Sequence, residues 1–496
     1  MVCMKPVNLL SVIQSFLYME RSLFQKFMNH YGIDILKGIR DYELEGIKKL
    51  FEELLKHNDI SITDGYYLGY SIPQIGKEFD LLRFGDNNII NIEIKSESTL
   101  DKINKQQIRN RYYLSFLNKE LHIYTYISNE HKLYKLIIGA TDSTTQEVQV
   151  SELFDRLAEQ LVVTYTNIDE IFNPSDYLVS PFNSTDKFIY GSYFLTVQQE
   201  CIFNDIQKIF DNSNKNFIAI TGDAGTGKTL LTYHIARVLQ QRRIRVLILH
   251  CAQLNNGHNK LNENWGWNIC MPKYSPAFND FDVIIIDEAQ RLYPSQFKKI
   301  VESVRQLNKS CIFSYDEKQY LHDNEKNYNI KDKIEIELGC SPFRLKDKIR
   351  TNKEISYFIK QIFNQNKNIP DIKFPNVDFI YCKEYKSAKL LLNMMCQKGW
   401  KVPNYTPGTR SCFKYEEYLS EDHDCAHSVI GQEFENVVIV LDESFKYNST
   451  GELIANNRYY SQKQLLYQIV TRAIKKLYVV IINNEVMLNR CIQILQ

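Results

Sequence analysis

Phe217-Ile-Ala-Ile-Thr-Gly-Asp-Ala-Gly-Thr-Gly-Lys-Thr229 is an apolar run that ends in a glycine-rich loop and opens into the periodic segment Leu230 to Leu239. That order reads as a buried strand, a tight loop and a helix. Gly222, Gly225 and Gly227 let successive backbone N–H groups curl around a triphosphate, and the start of the following helix favours the anion. Lys228 then reaches the β- and γ-phosphates, and Thr229 offers its hydroxyl to Mg2+. ATP and Mg2+ are the cofactors this pattern calls for.

Three more strands follow from the same logic. Ile244-Arg-Val-Leu-Ile-Leu-His250 is a second buried strand, and Phe281-Asp-Val-Ile-Ile-Ile-Asp-Glu-Ala-Gln290 a third that ends in two carboxylates. Asp287, at a strand's carboxyl end, suits the Mg2+ that bridges the β- and γ-phosphates, and Glu288 suits the water that attacks the γ-phosphate. Ser310-Cys-Ile-Phe-Ser-Tyr-Asp-Glu-Lys-Gln319 adds a fourth strand and a polar turn that places Asp316 and Gln319 to sense that phosphate. Upstream, Leu195-Thr-Val-Gln-Gln199 opens a helix, and the Gln199 amide carries the donor and acceptor that adenine needs.

In this order the elements resemble a superfamily 1 helicase, whose motor is two RecA-like domains with the nucleotide between them. The resemblance implies arginines that reach across the cleft to the developing transition-state charge. Arg350, in Leu345-Lys-Asp-Lys-Ile-Arg-Thr-Asn352, and Arg472, in Tyr467-Gln-Ile-Val-Thr-Arg-Ala473, stand at the matching places. His427-Ser-Val-Ile-Gly-Gln-Glu-Phe434 keeps the family's spacing of His, Gly431 and Glu433. By resemblance Glu433 serves the ribose, and His427 couples the nucleic-acid track to the nucleotide. Tyr315 stands where the family usually has glycine, Ile430 where it has a polar residue and Cys425 where it has threonine. These departures fall on coupling motifs and weaken strand separation more than ATP hydrolysis. Only 57 residues lie between Thr229 and Asp287 and 76 between Arg350 and His427, which leaves no room for large inserted domains. The motor is compact and looks like the helicase part of schlafen-type proteins. Arg242-Arg-Ile-Arg245 and Trp265-Gly-Trp267 are candidate track residues, the tryptophans being equally suited to core packing.

The first 185 residues change period. Leu9 to Leu55 is helical, with Leu44, Ile47, Leu50, Phe51, Leu54 and Leu55 at three- and four-residue steps. Lys77-Glu-Phe-Asp-Leu-Leu-Arg83 and Ile89-Ile-Asn-Ile-Glu-Ile-Lys95 then read as a β-hairpin. Glu93 and Lys95 share a face and the paired strand brings Asp80 alongside, an arrangement that suits metal-dependent phosphodiester cleavage with Mg2+ or Mn2+. An E-x-K pair on an amphipathic strand also suits a solvated face. Asp80 and Glu93-x-Lys95 resemble the PD-(D/E)XK nuclease superfamily, which implies a further acid on the preceding helix, with Glu45 ahead of Glu43 and Glu52. It also implies a substrate-facing Gln107 or Arg111 on the helix after the core. The iron-sulfur version of such nucleases needs four cysteines, and this segment has only Cys3.

Composition bounds the partners. Lys and Arg total 60 against 59 Asp and Glu, so nucleic acid must be held by local basic patches rather than by a global field. Eleven cysteines without a C-x-x-C pair, and no apolar run of about 18 residues, fit a cytoplasmic protein with reduced thiols and no membrane span. The expected fold is α/β: a PD-(D/E)XK-like α/β domain over 1–185, then two RecA-like parallel-sheet domains over 186–340 and 341–496. The expected partner is nucleic acid, DNA ahead of RNA, with a protein partner or a second copy left open. Nuclease-motor chains of this resemblance are associated with bacterial DNA repair and defence against phage. The rival reading is a nucleotide-dependent binding switch whose first domain does not cleave.

Overall fold

Apolar runs such as Val283-Ile-Ile-Ile286 offer water no polar face and belong in a sheet covered on both sides. In the computed structural model Ile284, Ile285 and Ile286 have no exposed surface. The structure describes residues 4–34, 39–73, 75–139, 143–172, 177, 179–212, 217–321, 323–346, 352–368, 372–407, 414–455 and 460–496. They form two units, Met1–Asp176 and Tyr177–Gln496.

The first unit begins with helices α1 (Leu9–Tyr18), α2 (Arg21–His30) and α3 (Asp41–Leu54). α3 buries Leu44, Ile47, Leu50, Phe51 and Leu54, the stripe its periodicity predicts. Six strands make one sheet in chain order: β1 (Tyr66–Ser71), β2 (Glu78–Phe84), β3 (Asn88–Lys95), β4 (Glu120–Ile127), β5 (Lys132–Ile138) and β6 (Ser143–Val148). β3 and β4 pair in parallel and the other neighbours antiparallel. A parallel pair needs a crossover, and α4 (Leu100–Leu114) supplies it. α5 (Val150–Glu159) follows the last strand.

In the second unit β7 (Phe217–Gly222), β8 (Val246–His250), β9 (Ile269–Cys270), β10 (Val283–Asp287), β11 (Ser310–Tyr315) and β12 (Phe343–Leu345) form an all-parallel sheet. Its order is β12-β7-β11-β10-β8-β9. The chain leaves β7, passes over two strands to β8, and later returns to flank β7 on both sides. Where winding reverses, the loops at the strands' carboxyl ends open a crevice, and Gly222–Thr229 lies at that point. β12 extends this sheet past residue 340, and Val179 and Phe182 join its core.

A second lobe of the same unit holds β13 (Val377–Cys382) and β14 (Phe434–Leu441). It also holds the short hairpin β15 (Lys446–Tyr447) and β16 (Leu453–Ile454), and β17 (Ala473–Ile482). The order β13-β17-β14 is parallel throughout, and Val479 to Ile482 on the central strand are fully buried. The fold is therefore mixed α/β with two parallel sheets in the second unit. Among the described residues no helix is long and apolar enough to cross a membrane.

Candidate functional site

A loop wrapped around phosphate must turn back on itself within a few residues. Gly225 and Gly227 do so with φ of 77° and 82°, in the left-handed region that side chains disfavour. Gly222 has a different reason to be glycine: a Cβ there would lie 2.8 Å from the Leu345 carbonyl oxygen. Lys228 Nζ folds back into the loop, donating to the carbonyls of Gly222 and Asp223 at 2.7 and 3.1 Å and to Asp316 Oδ2 at 3.1 Å. Both charges of that ion pair are buried, so each needs the other. Lys318 Nζ makes a second bridge to the loop, 2.9 Å from Asp223.

The ends of β10 and β11 meet this loop through Gln290. Its Nε2 donates to Glu288 Oε2 at 2.7 Å and to the Gln319 carbonyl at 3.1 Å, while its Oε1 accepts from Asp316 N at 3.1 Å. One amide thus joins the carboxylate placed for water activation to the turn placed to sense phosphate. The sequence reading gave Gln290 no role; its signal was the position directly after Asp-Glu-Ala. Glu288 adopts φ 57°, a strained geometry for a side-chain-bearing residue that the fold must hold in place. Asp287 is buried and accepts from His250 Nδ1 at 3.1 Å. Gln319 Nε2 is buried with no hydrogen-bond partner in the structure, an orphan donor on the phosphate-sensing turn. Tyr315, which replaces the expected glycine, turns into the core and donates to Glu335 at 2.6 Å.

The donors present fit Mg2+ and a triphosphate: Thr229 lies in the first turn of the helix Lys228–Gln241, and the Asp287 carboxylate ends β10. Gln199 is tied to the phosphate loop itself. Its Oε1 accepts from Thr196 N at 2.9 Å and its Nε2 donates to the Gly227 carbonyl at 3.1 Å. With one bond made at each end of the amide and the residue buried, Gln199 braces the phosphate loop.

Arg350 lies outside the described residues. Arg472 is buried in the second lobe, with Nε donating to the Gln468 carbonyl at 3.1 Å and Nη1 to the Gln432 carbonyl at 3.4 Å. Its neighbour Tyr467 feels the charges of the loop. Burial chiefly raises the phenol's pKa; the carboxylates of Asp316 and Asp223 raise it further, and Arg472 opposes them. Glu433 is held by Asn183, whose Oδ1 accepts from Glu433 N at 3.0 Å. His427 Nδ1 lies 2.6 Å from Thr406 Oγ1, and burial, with the Arg291 charge behind it, drives its pKa down to about 3. Arg291 in turn sits 3.5 Å from Glu288.

The candidate track residues fare less well. Arg242 and Arg245 are paired with Asp211 and Asp282. They precede β8, at the end of the sheet opposite the loop. Trp267 is 6% exposed and stacks on Tyr233, which makes it core. Trp265 is partly exposed beside Tyr190.

In the first unit the β2–β3 register sets Leu81 opposite Ile92, so Asp80 comes beside Glu93 one step on. Asp80 Oδ2 accepts from Ile94 N at 2.7 Å, and Glu93 accepts from Asn110 and Gln106 of α4 at 2.9 and 2.8 Å. Burial first, and Glu93 next, raise the Asp80 carboxyl well above its ordinary range. Burial works against the Lys95 charge, but Asp80 and Glu93 outweigh it and hold the ammonium above the usual lysine value. Glu43 acts on both groups, whereas Glu45 is exposed and pairs with Lys48 at 3.8 Å. Of these α3 acids, Glu43 lies on the buried stripe. Gln107 points into the core toward Thr125 and the Tyr134 carbonyl, and Arg111 bonds Ser143, so Gln106 takes the position next to Glu93. Lys95, Lys102, Lys105, Gln106 and Arg109 line an adjoining cleft of about 430 Å³. Among the described residues no three His, Cys, Asp or Glu side chains converge on one metal position. Two carboxylates do fit Mg2+ or Mn2+, which take their remaining ligands from water and phosphate.

Residues 215–398 match the family model of Schlafen group 3, DNA/RNA helicase domain. A comparison with curated proteins finds no match. Among solved structures, Pif1 helicases described as unwinding forked double-stranded DNA share 12% identity over 58% of this chain and 92% of theirs, with a TM-score of 0.33. Pif1 helicase from Candida albicans shares 11% over 58% and 95%, at 0.32. The DUF1998 helicase MrfA bound to DNA shares 12% over 61% and 50%, at 0.33.

Proposed function

We propose that the second unit is an ATP-hydrolysing motor on nucleic acid. One observation carries this reading: Lys228, Asp316, Gln290 and Glu288 form a continuous hydrogen-bonded chain from the phosphate loop to the water-activating carboxylate. In this reading an incoming triphosphate takes Lys228 from Asp316. Asp316 is tied to Gln290, so the exchange is passed to the amide that holds Glu288, and Glu288 orients water only when phosphate is seated. Thr229 and Asp287 would hold Mg2+, which would supply charge neutralisation for phosphoryl transfer. By resemblance Arg472 of the second lobe, together with Arg350, would meet the developing charge, and Glu433 would serve the ribose.

For the first unit we propose a metal-dependent nuclease site in which Asp80 and Glu93 hold the cation and Lys95 orients the attacking water. The cationic cleft beside Glu93 supports it, since four positive side chains suit a phosphodiester backbone. DNA is the favoured substrate, and a role in repair or defence rests on family resemblance alone. The Tyr315 and Ile430 departures favour the second reading, an ATP-dependent binding switch. Fluorescence anisotropy with single-stranded DNA and RNA, under a non-hydrolysable ATP analogue and under ADP, tests the proposal. A motor shows strand affinity that differs between the two nucleotides, and an affinity blind to nucleotide would defeat both readings. Cleavage of the same oligonucleotides with Mn2+, abolished in Lys95→Ala, is expected of the nuclease site.

A further inference from the structure

We propose that His250 is a positioning residue for the Mg2+ of the nucleotide site, acting through Asp287; this rests on the ATP-binding reading above. β8 and β10 run parallel with His250 directly opposite Asp287, so two strand ends deliver an imidazole and a carboxylate side by side. Nδ1 lies 3.1 Å from Asp287 Oδ2, and the pair is 0% and 2% exposed. The other ring nitrogen, Nε2, is buried with no hydrogen-bond partner in the structure. Only the tautomer with its proton on Nδ1 donates to Asp287, so that is the form the geometry selects.

A carboxylate free to rotate offers a metal either oxygen, or both. An N–H fixed on Oδ2 removes that freedom and leaves Oδ1 as the oxygen to present, which is how outer partners raise metal affinity. The imidazole is itself held. His258 packs on it with ring centroids 4.4 Å apart, and Phe182 meets it edge-on at 6.2 Å. His258 is fixed in turn at the start of its helix, where its Nδ1 accepts from Asn255 N at 3.1 Å. A buried histidine whose second nitrogen goes unsatisfied is costly to keep, and fixing the metal ligand accounts for the cost.

The test measures the affinity of a fluorescent ADP with and without Mg2+, for the full chain and two variants. His250→Phe keeps a ring of similar size and removes the donor, while His250→Asn places an amide N–H near the Nδ1 position. We expect His250→Phe to bind metal-free ADP as the parent does but to need about tenfold more Mg2+ for the same enhancement, with His250→Asn restoring most of it. A purely structural role would lower the unfolding midpoint in both variants and leave the Mg2+ requirement unchanged, which would overturn the proposal. Equal impairment of Mg2+ use in the two variants would overturn it as well. A parent chain that binds no nucleotide would instead defeat the ATP-binding reading itself.

Discussion

At the residue scale, His427 and His234 are set for proton-linked stability. Burial lowers both, His427 to about 3 and His234 to about 4, from an ordinary value of 6.5. Each binds fewer protons folded than unfolded between those limits, so the folded state loses stability as pH falls from about 6.5 toward about 4. The loss is at most about 1.4 kcal/mol per pH unit for each group. Urea unfolding across that range should show His427→Gln with a flatter acid limb than the parent, and identical slopes would remove His427 from the account. The same scale shows what sequence leaves unreadable. Glu43 and Glu45 have one chemistry, and α3 puts the first on its buried stripe and the second in water. Gln106 and Gln107 divide likewise, one toward Glu93 and one into the core. Spacing gives the face of a helix only to within about one residue, and the packing of the turn decides the rest.

At the element scale, strands that end in chemistry were legible because apolar runs buried on two faces leave no alternative to a parallel sheet. The phosphate loop and Asp287 at the tip of β10 follow directly from such runs, and the antiparallel β2–β3 hairpin from two strands joined by a polar turn. Contacts between distant segments were not, since no local pattern encodes them. The Gly431 turn of the second lobe, with φ 75°, is an example: a Cβ there would lie 2.5 Å from Phe182 Cε2. Ser180 and Asn183 bond the same turn at the Gly431 carbonyl and Glu433 N. Gly431→Ala should therefore cost about 2 kcal/mol through backbone strain and overpacking. A urea midpoint equal to the parent's would show that the turn and Phe182 do not press on each other.

At the scale of the whole molecule, one chain carries a phosphate loop wired to two carboxylates in its second unit and an acidic pair beside a cationic cleft in its first. Net charge near zero gave no hint of that cleft, because the lysines of α4 are balanced elsewhere in the sequence. The tie of Gln199 to the phosphate loop was hidden for a related reason: a donor and an acceptor suit adenine, and they equally suit the main-chain carbonyl and amide that the fold supplies. The central claim is that a triphosphate seated at Lys228 is hydrolysed under the control of a bound strand. The direct measurement is steady-state phosphate release from ATP and Mg2+, with and without single-stranded oligonucleotide, by the parent and by Lys228→Ala. The parent should turn over faster with the strand present, and Lys228→Ala should lose about 100-fold or more in both conditions. Phosphate release that is absent in the parent, or that survives the loss of Lys228, would contradict it.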